Sequence, residues 1–152
     1  MTDRLTLAAW KTNEMIERIH PKLDQYVATP EFAFHLAVKT DGIVFTQGVA
    51  PISTSLEVIG RDDLIAQCEF TLKTLKGILE SAGSSPRHML NWTIYLKDTG
   101  TGEIGSKYLK ILPQLLEFVG EDAPTATAIG VASLFIPGVL IEISAIAKVI
   151  GA

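Results

Sequence analysis

The stretch PTATAIGVASLFIPGVLIEISAIA, residues 124–147, decides how the rest of the chain folds. Its one charged residue is Glu142. A segment this long and apolar has the length of a membrane-spanning helix. However, the Pro137-Gly138 pair interrupts it, and Thr, Val and Ile are frequent around that pair. This pattern is typical of two buried strands joined by a tight turn, so we expect strands over Thr125–Leu134 and Val139–Ala147.

Small residues share one face of the first of these strands, because side chains alternate between the two faces of a strand. The four residues are Ala126, Ala128, Gly130 and Ala132. A face this small would let another layer of the fold, or another subunit, approach closely.

Glu142 is the first candidate for chemistry. On the second predicted strand it shares a face with Leu140, Ser144 and Ile146. A carboxylate there is costly unless it is hydrogen-bonded, paired or neutralised. Two interpretations stay open: a carboxylate that activates a water in an apolar pocket, or an interface glutamate bonded to a neighbouring hydroxyl or backbone N–H.

Bulk composition limits the possible functions. The chain has 152 residues, enough for one domain with its own core, and 47% of them are hydrophobic. A net charge of −4 and a pI near 5.3 disfavour nucleic-acid binding, which needs a basic surface. The single cysteine, Cys68, fits a reducing compartment. With no secretory signal pattern at the N-terminus, we expect a cytoplasmic protein that does not enter a membrane.

The order of periodic segments predicts an α+β fold, β-β-α-β-α-β-β, in which a mixed sheet carries both helices on one face. We expect an N-terminal helical extension over residues 1–30, with a helix over 3–19, and the main domain over 31–152. The segments predicted within that domain are strands over 32–38 and 43–49 joined at Asp41-Gly42, a helix from Asp62 or Asp63 to before Gly83, a strand over Met89–Lys97, a helix over 103–119 kinked or broken at Pro113, and a terminal hairpin.

Nucleotide and metal sites are both weakly supported. Residues 100–105 fit G-x-G-x-x-G between a predicted strand and a predicted helix. However, the chain has too few β-α units for a dinucleotide fold, so a connecting or active-site loop is the better interpretation. The three histidines, His20, His35 and His88, lie far apart in the sequence and lack a second ligand at metal-binding spacing. We expect no metal and no cofactor.

Several stretches together resemble the Rid family, the YjgF-like reactive-intermediate deaminases, over about residues 32–148. The stretches that carry the resemblance are TQGVAP at 46–51, Ala66-Gln67, LESAG at 79–83, TIYLKD at 93–98, Tyr108 and VLIEISAIA at 139–147. The resemblance implies a chorismate-mutase-like fold and a homotrimer whose sheets surround a central barrel. It also implies ligand clefts between subunits, in which imines and enamines are hydrolysed to ketones and ammonia. In the family an arginine binds the substrate carboxylate, and a water near the glutamate that corresponds to Glu142 attacks the imine carbon.

This chain departs from the family pattern where the substrate would bind. The family arginine corresponds to Ala126, and the pattern's serine and glutamine correspond to Gln47 and Val49. Losing the arginine removes a bidentate carboxylate anchor. The residues expected to bind substrate are Phe34, Gln47, Gly48, Val49, Gly105, Tyr108, Ala126, Thr127 and Ala128, with Glu142 as the catalytic residue.

The resulting hypothesis is a diverged hydrolase that uses Glu142 on a larger or less anionic imine or enamine. The alternative is a trimeric protein that binds a small molecule or regulates without turnover. A ribonuclease, an activity attributed to some relatives, is disfavoured by the acidic pI.

Overall fold

The computed structural model describes residues 16–21 and 32–151 of the chain. Within these residues the fold comprises six strands, two helices and a short 3₁₀ turn at Pro86–His88. The elements in chain order are β1 Glu17–Ile19, β2 Ala37–Thr40, β3 Ile43–Thr46, α1 Leu64–Ser81, β4 Met89–Lys97, α2 Ile104–Val119, β5 Thr125–Val131 and β6 Ile141–Lys148.

One mixed sheet organises the fold, with the strands in the order β1-β2-β3-β6-β4-β5. Strands β4 and β5 are parallel, and every other neighbouring pair is antiparallel. Alternate residues of β6, Ile141 to Ala147, are buried in the same core as the apolar faces of α1 and α2. Both helices therefore cover one face of the sheet, which confirms the predicted α+β architecture.

The predicted terminal hairpin is wrong. Strand β6 lies between β3 and β4, and β4 separates it from β5. Strand β5 is also not buried, because Thr125–Gly130 are all exposed. The apolar face of β6 gains most from burial at the centre of the sheet, whereas the small residues of β5 can occupy an edge. A Pro-Gly turn signal is local and does not determine which strands pair.

The N-terminal predictions also need correction. Glu17–Ile19, the end of the predicted helix, form a strand that pairs with Ala37–Lys39, and Ile16 before it is not helical. Residues 3–15 of the predicted helix lie outside the described residues. The predicted strand over 32–38 begins only at Ala37. Ala33 has a φ of 63°, which interrupts an extended backbone. Phe32 and Phe34 therefore lie on an irregular segment rather than on a sheet face.

Other local predictions are confirmed. At the β2–β3 turn, Asp41 and Gly42 both have positive φ, at 48° and 76°, as a type I′ hairpin requires. The Asp63 carboxylate caps α1 by accepting a hydrogen bond from Ala66 N–H at 3.0 Å. Helix α2, however, continues through Pro113 as one element. Pro113 and Leu109, one turn earlier, are exposed, so water can hydrate the carbonyl that the proline leaves unbonded.

Candidate functional site

A cavity of about 340 Å³ opens where β6 begins, between the segment before β2 and the loop after β3. Its volume lies within the range of small-molecule sites. Nine of the described residues line it: Phe32, Phe34, Gln47, Gly48, Ala50, Ile52, Leu56, Phe135 and Glu142. Seven of these are apolar or glycine, so the polar side chains of this lining are those of Gln47 and Glu142.

Gly48 and Glu142 form the floor of this cavity. A Cβ atom built on Gly48 would overlap the Oε1 atom of Glu142 and would lie 2.9 Å from its Cδ atom. Such contacts are too short for any real side chain, so position 48 needs glycine for space. The close approach arises because Val49, the next residue, pairs with Ile143, the residue after Glu142.

The environment of Glu142 favours its neutral form. Partial burial raises the pKa of this carboxyl above the usual range of glutamate, because a charged carboxylate is poorly solvated there. Within the described part of the chain, no hydrogen bond or ion pair compensates for that loss of solvation. A glutamate with a raised pKa in an apolar cavity is a stronger base than an exposed glutamate, and is suited to accepting a proton and returning it.

Three apolar side chains form the rim of the cavity: Phe32, Leu56 and Phe135. They are 44%, 44% and 72% exposed, respectively. Phe32 also stacks on Phe34, with ring centroids 6.4 Å apart. An apolar rim this exposed gives a ligand apolar surface to cover.

Four of the ten predicted site residues come together here: Phe34, Gln47, Gly48 and Glu142. Val49 does not line the cavity, because its side chain is fully buried in the core.

The other five predicted residues lie elsewhere in the single chain. Ala126, Thr127 and Ala128 are on the exposed edge strand β5, and Gly105 and Tyr108 are on α2. The strand registers put Thr127 on the same face of the sheet as Glu142, and Ala126 and Ala128 on the face that the helices cover.

Sequence reasoning missed five lining residues: Phe32, Ala50, Ile52, Leu56 and Phe135. They lie on irregular segments, where periodicity gives no information about orientation. Leu56, for example, has a φ of 61°, which no pattern in the sequence indicates. The one available signal was the concentration of apolar residues in loops, where polar residues are more usual.

Gln67 was also missed, and it holds together the segments around the cavity. This fully buried side chain donates hydrogen bonds to the carbonyls of Gly60 at 3.2 Å and Gly138 at 2.9 Å. Its Oε1 accepts a hydrogen bond from Leu140 N–H at 2.7 Å. Gln67 thus fixes the ends of the two loops that carry Leu56 and Phe135.

The glycine-rich loop at 98–102 makes its own internal contacts. The Asp98 carboxylate accepts hydrogen bonds from Gly100 N–H at 3.1 Å and Thr101 N–H at 3.2 Å. Both amides face a carboxylate, which would repel a phosphate. The loop therefore does not have the arrangement of a nucleotide-binding turn.

Metal-ligating residues do not cluster in the part of the chain that the structure describes. His20 and His35 are far apart in sequence but contact each other through ring nitrogens. No third His, Cys, Asp or Glu joins them, or forms another such group, within residues 16–21 and 32–151. None of the helices described is long and apolar enough to cross a membrane.

Comparisons with known proteins identify similar sequences and folds. The family described as Endoribonuclease L-PSP matches residues 26–149. A RutC family protein of Pyrococcus horikoshii is 34% identical over 111 residues, which cover 73% of this chain and 82% of that protein. The 3-aminoacrylate deaminase RutC of Acinetobacter baylyi is 32% identical over 113 residues, which cover 74% of this chain and 84% of that protein. The crystal structure of E. coli TdcF with bound serine has a TM-score of 0.69 at 23% identity, covering 87% of this chain and 98% of TdcF.

Proposed function

Because the chain belongs to the Rid family, which is also described as Endoribonuclease L-PSP and YjgF-like, we propose that it hydrolyses an imine or enamine in the cavity above Gly48 and Glu142. The observation that carries this proposal is the position of Glu142. It is the one ionisable residue among the described lining residues, of which Gln47 is the only other polar one, and its pKa is raised by burial.

In the proposed reaction, the Glu142 carboxylate accepts a proton from a water molecule as the water oxygen bonds to the imine carbon. The carboxyl group then returns that proton to the nitrogen. The remaining hydroxyl proton moves to the nitrogen through Glu142 in the same way, the C–N bond breaks, ammonia leaves with both protons of the water, and the carbon keeps the oxygen as a carbonyl. An enamine enters the same sequence after its β-carbon takes up a proton and its nitrogen gives one up, which produces the imine. No cofactor is needed, because water is the only co-reactant.

The ligand proposed for this chain is larger or less anionic than those named for its relatives. RutC of A. baylyi is named a 3-aminoacrylate deaminase, and TdcF was crystallised with serine. Both molecules are small and carry a carboxylate. In this chain the arginine of the family pattern corresponds to Ala126, and none of the nine described lining residues is basic. A carboxylate would enter this cavity without a countercharge.

We also propose that the working form is a homotrimer, in which a neighbouring subunit completes each cavity. No described strand pairs with the outer edge of β5, and Phe45 and Ile129 leave apolar surface exposed on the sheet face that no described helix covers. An unpaired edge beside exposed apolar residues favours association. Trimer formation would bring the remaining predicted substrate-binding residues near a neighbour's cavity: Gly105, Tyr108, Ala126, Thr127 and Ala128.

The alanine at position 126, where the family pattern has its substrate-binding arginine, favours a second candidate function. In that function, the trimer binds a small molecule without turnover. Both candidates use the same cavity, and they differ in whether Glu142 transfers a proton.

The deciding experiment measures ammonia release from a panel of neutral and anionic enamines, generated in the assay, with the wild-type protein and Glu142→Gln. If the protein is a hydrolase, Glu142→Gln should slow ammonia release by about 100-fold or more. Thermal unfolding of the variant should show that the fold is retained. Ligand-induced stabilisation without ammonia release from any enamine would support the binding protein instead. Equal release by both proteins would exclude Glu142 as the base.

A further inference from the structure

The side chain of Gln47 has unused hydrogen-bonding capacity at the cavity. Its Nε2 atom is buried and has no hydrogen-bond partner in the described structure. The backbone of the same residue is satisfied, because its N–H donates to Leu36 O at 2.9 Å and its carbonyl accepts from Thr46 Oγ1 at 2.8 Å. Leaving a buried donor unpaired costs free energy, so a native protein that retains one needs an explanation.

The surroundings of Gln47 suggest that a ligand uses this group. Gln47 precedes Gly48 and lines the cavity that contains Glu142. The other side chains that line the cavity include Phe34, Ala50 and Ile52, which offer no acceptor. A molecule that fills the cavity would therefore meet one amide group and one carboxyl group within an apolar lining.

The charge balance of the cavity determines which polar group such a molecule can carry. A carboxylate would lose its hydration and lie near Glu142 with no described basic residue to compensate for its charge. Nε2 itself has almost no accessible surface, so the Gln47 side chain must turn toward the ligand. A neutral carbonyl oxygen can then accept a hydrogen bond from Nε2 without the cost of burying a charge near Glu142. A ligand amide fits better still, because its N–H can donate to Oε1 of Gln47 while its oxygen accepts from Nε2.

We propose that Gln47 is the specificity-determining residue of the cavity, and that it selects uncharged carbonyl compounds, amides above all, with an apolar or aromatic body. This inference rests on the proposed function, since it takes the cavity as the ligand site, and it adds the chemical class of the ligand. The family pattern has a serine at this position. The longer carboxamide of Gln47 would take over the role of polar anchor that the family gives to its arginine.

Benzamide and benzoate test this inference, because they have the same ring and nearly the same shape but differ in charge. Toluene reports on the apolar part of the cavity alone. Affinities of the intact protein for all three are measured near pH 7.5 by calorimetry or ligand-observed NMR. We expect wild-type protein to bind benzamide at least about tenfold more tightly than benzoate, the factor that one net hydrogen bond provides.

Two substitutions make the result specific to Gln47. Gln47→Leu keeps the apolar volume and removes the unpaired donor, so the fold is retained. It is expected to weaken benzamide binding about tenfold and to leave toluene binding unchanged. Gln47→Arg is expected to reverse the preference toward benzoate. If Gln47→Arg does not fold, the benzamide affinity of Gln47→Leu still tests whether Gln47 determines ligand choice.

Three results would overturn the inference: benzoate bound as tightly as benzamide, benzamide binding unaffected by Gln47→Leu, or no binding of toluene and benzamide to the wild-type protein. Ammonia release, measured on the same variants, distinguishes a failure of the Gln47 specificity from a failure of the proposed hydrolysis. If the benzamide preference depends on Gln47 but no enamine is hydrolysed, hydrolysis fails and the specificity stands. If Gln47→Leu hydrolyses neutral and anionic enamines as the wild-type protein does, the specificity fails and hydrolysis stands.

Discussion

Val49 and Ile143 exchange two backbone hydrogen bonds, in which Val49 N–H donates to Ile143 O at 2.8 Å and Ile143 N–H donates to Val49 O at 3.0 Å. This reciprocal pair fixes the distance between the two chain segments that meet at the cavity floor. Gly48 and Glu142, the preceding residue on each segment, therefore cannot separate without breaking both hydrogen bonds.

Gly48→Ala is expected to destabilise the fold and to displace the Glu142 carboxylate. The added methyl group would overlap Glu142, and overpacking of this kind costs about 1–3 kcal/mol in the free energy of unfolding. Chemical denaturation measures this change. Gly105→Ala is the stability control, because a Cβ atom there meets nothing within 4 Å.

The double variant Gly48→Ala/Glu142→Ala identifies the cause of this loss. Shortening Glu142 removes the atoms that the methyl group would overlap, so the double variant should recover much of the stability. If it is as unstable as Gly48→Ala alone, the collision with Glu142 is not the reason for a glycine at position 48.

Glu142 should make stability and activity depend on pH in opposite directions. Burial raises its folded-state pKa, so the unfolded chain loses this proton at a lower pH than the folded chain does. Between those two pKa values the folded state binds more protons, and stability falls as pH rises. The unfolding free energy of wild-type protein should therefore decrease with pH relative to that of Glu142→Gln across this window, and then level off.

The proposed hydrolysis requires the ionised carboxylate of Glu142, so ammonia release should rise with pH through the raised pKa of this residue. Denaturant titrations and rate measurements over the same pH series test both trends. A difference in stability between the two proteins that does not change with pH would contradict the raised pKa.

Gln67→Met should be strongly destabilising, although the two side chains have similar size. It leaves three backbone groups without their partner, at Gly60, Gly138 and Leu140. At about 1–3 kcal/mol for each buried group left unsatisfied, a total loss of about 3 kcal/mol or more is expected. Gln114→Met is the matched control, because Gln114 donates one hydrogen bond, to Ile65 O, and its loss should cost about 1 kcal/mol. Equal losses in the two variants would show that Gln67 does not hold the loops.

Ile129→Asp should disrupt the proposed trimer. Ile129 is 39% exposed on the uncovered sheet face, where a buried interface would leave an added carboxylate unpaired. Sedimentation should give about three times the 16.5 kDa chain mass for wild-type protein, and a smaller species for the variant. Ile65→Asp, at 36% exposure on the helical side, should assemble normally. A monomeric wild-type protein would refute the trimer.

Sequence periodicity correctly predicted those helices and strands whose sequence patterns depend only on neighbouring residues. The strand over Met89–Lys97 and the helix capped by Asp63 were found as predicted, because alternation and capping depend on neighbouring residues. Strand order depends on non-local burial, which is why the terminal hairpin was wrong. In the same way, the apolar spacing of Ile16 and Ile19 suits a helix, but pairing with β2 makes Glu17–Ile19 a strand.

Only part of the candidate site could be read from the sequence. The alternation around Glu142 and the resemblance at residues 46–51 pointed to the cavity floor. The positions of Phe32, Leu56 and Phe135 depend on loop geometry that no periodic pattern encodes. The unpaired Nε2 atom of Gln47 is likewise a property of the folded environment, because the sequence alone does not indicate which polar atoms lack partners.

The floor and the rim of the cavity are built on different kinds of backbone. Glu142 lies on the central strand β6, and the reciprocal hydrogen bonds between Val49 and Ile143 hold Gly48 next to it. By contrast, Phe32, Leu56 and Phe135 lie on irregular segments. Substitutions in those segments can therefore reshape the entrance without moving the carboxylate. Under the proposed function, changes at these three positions can alter ligand choice beyond what Gln47 sets, while the proposed proton-transfer group, Glu142, stays in place.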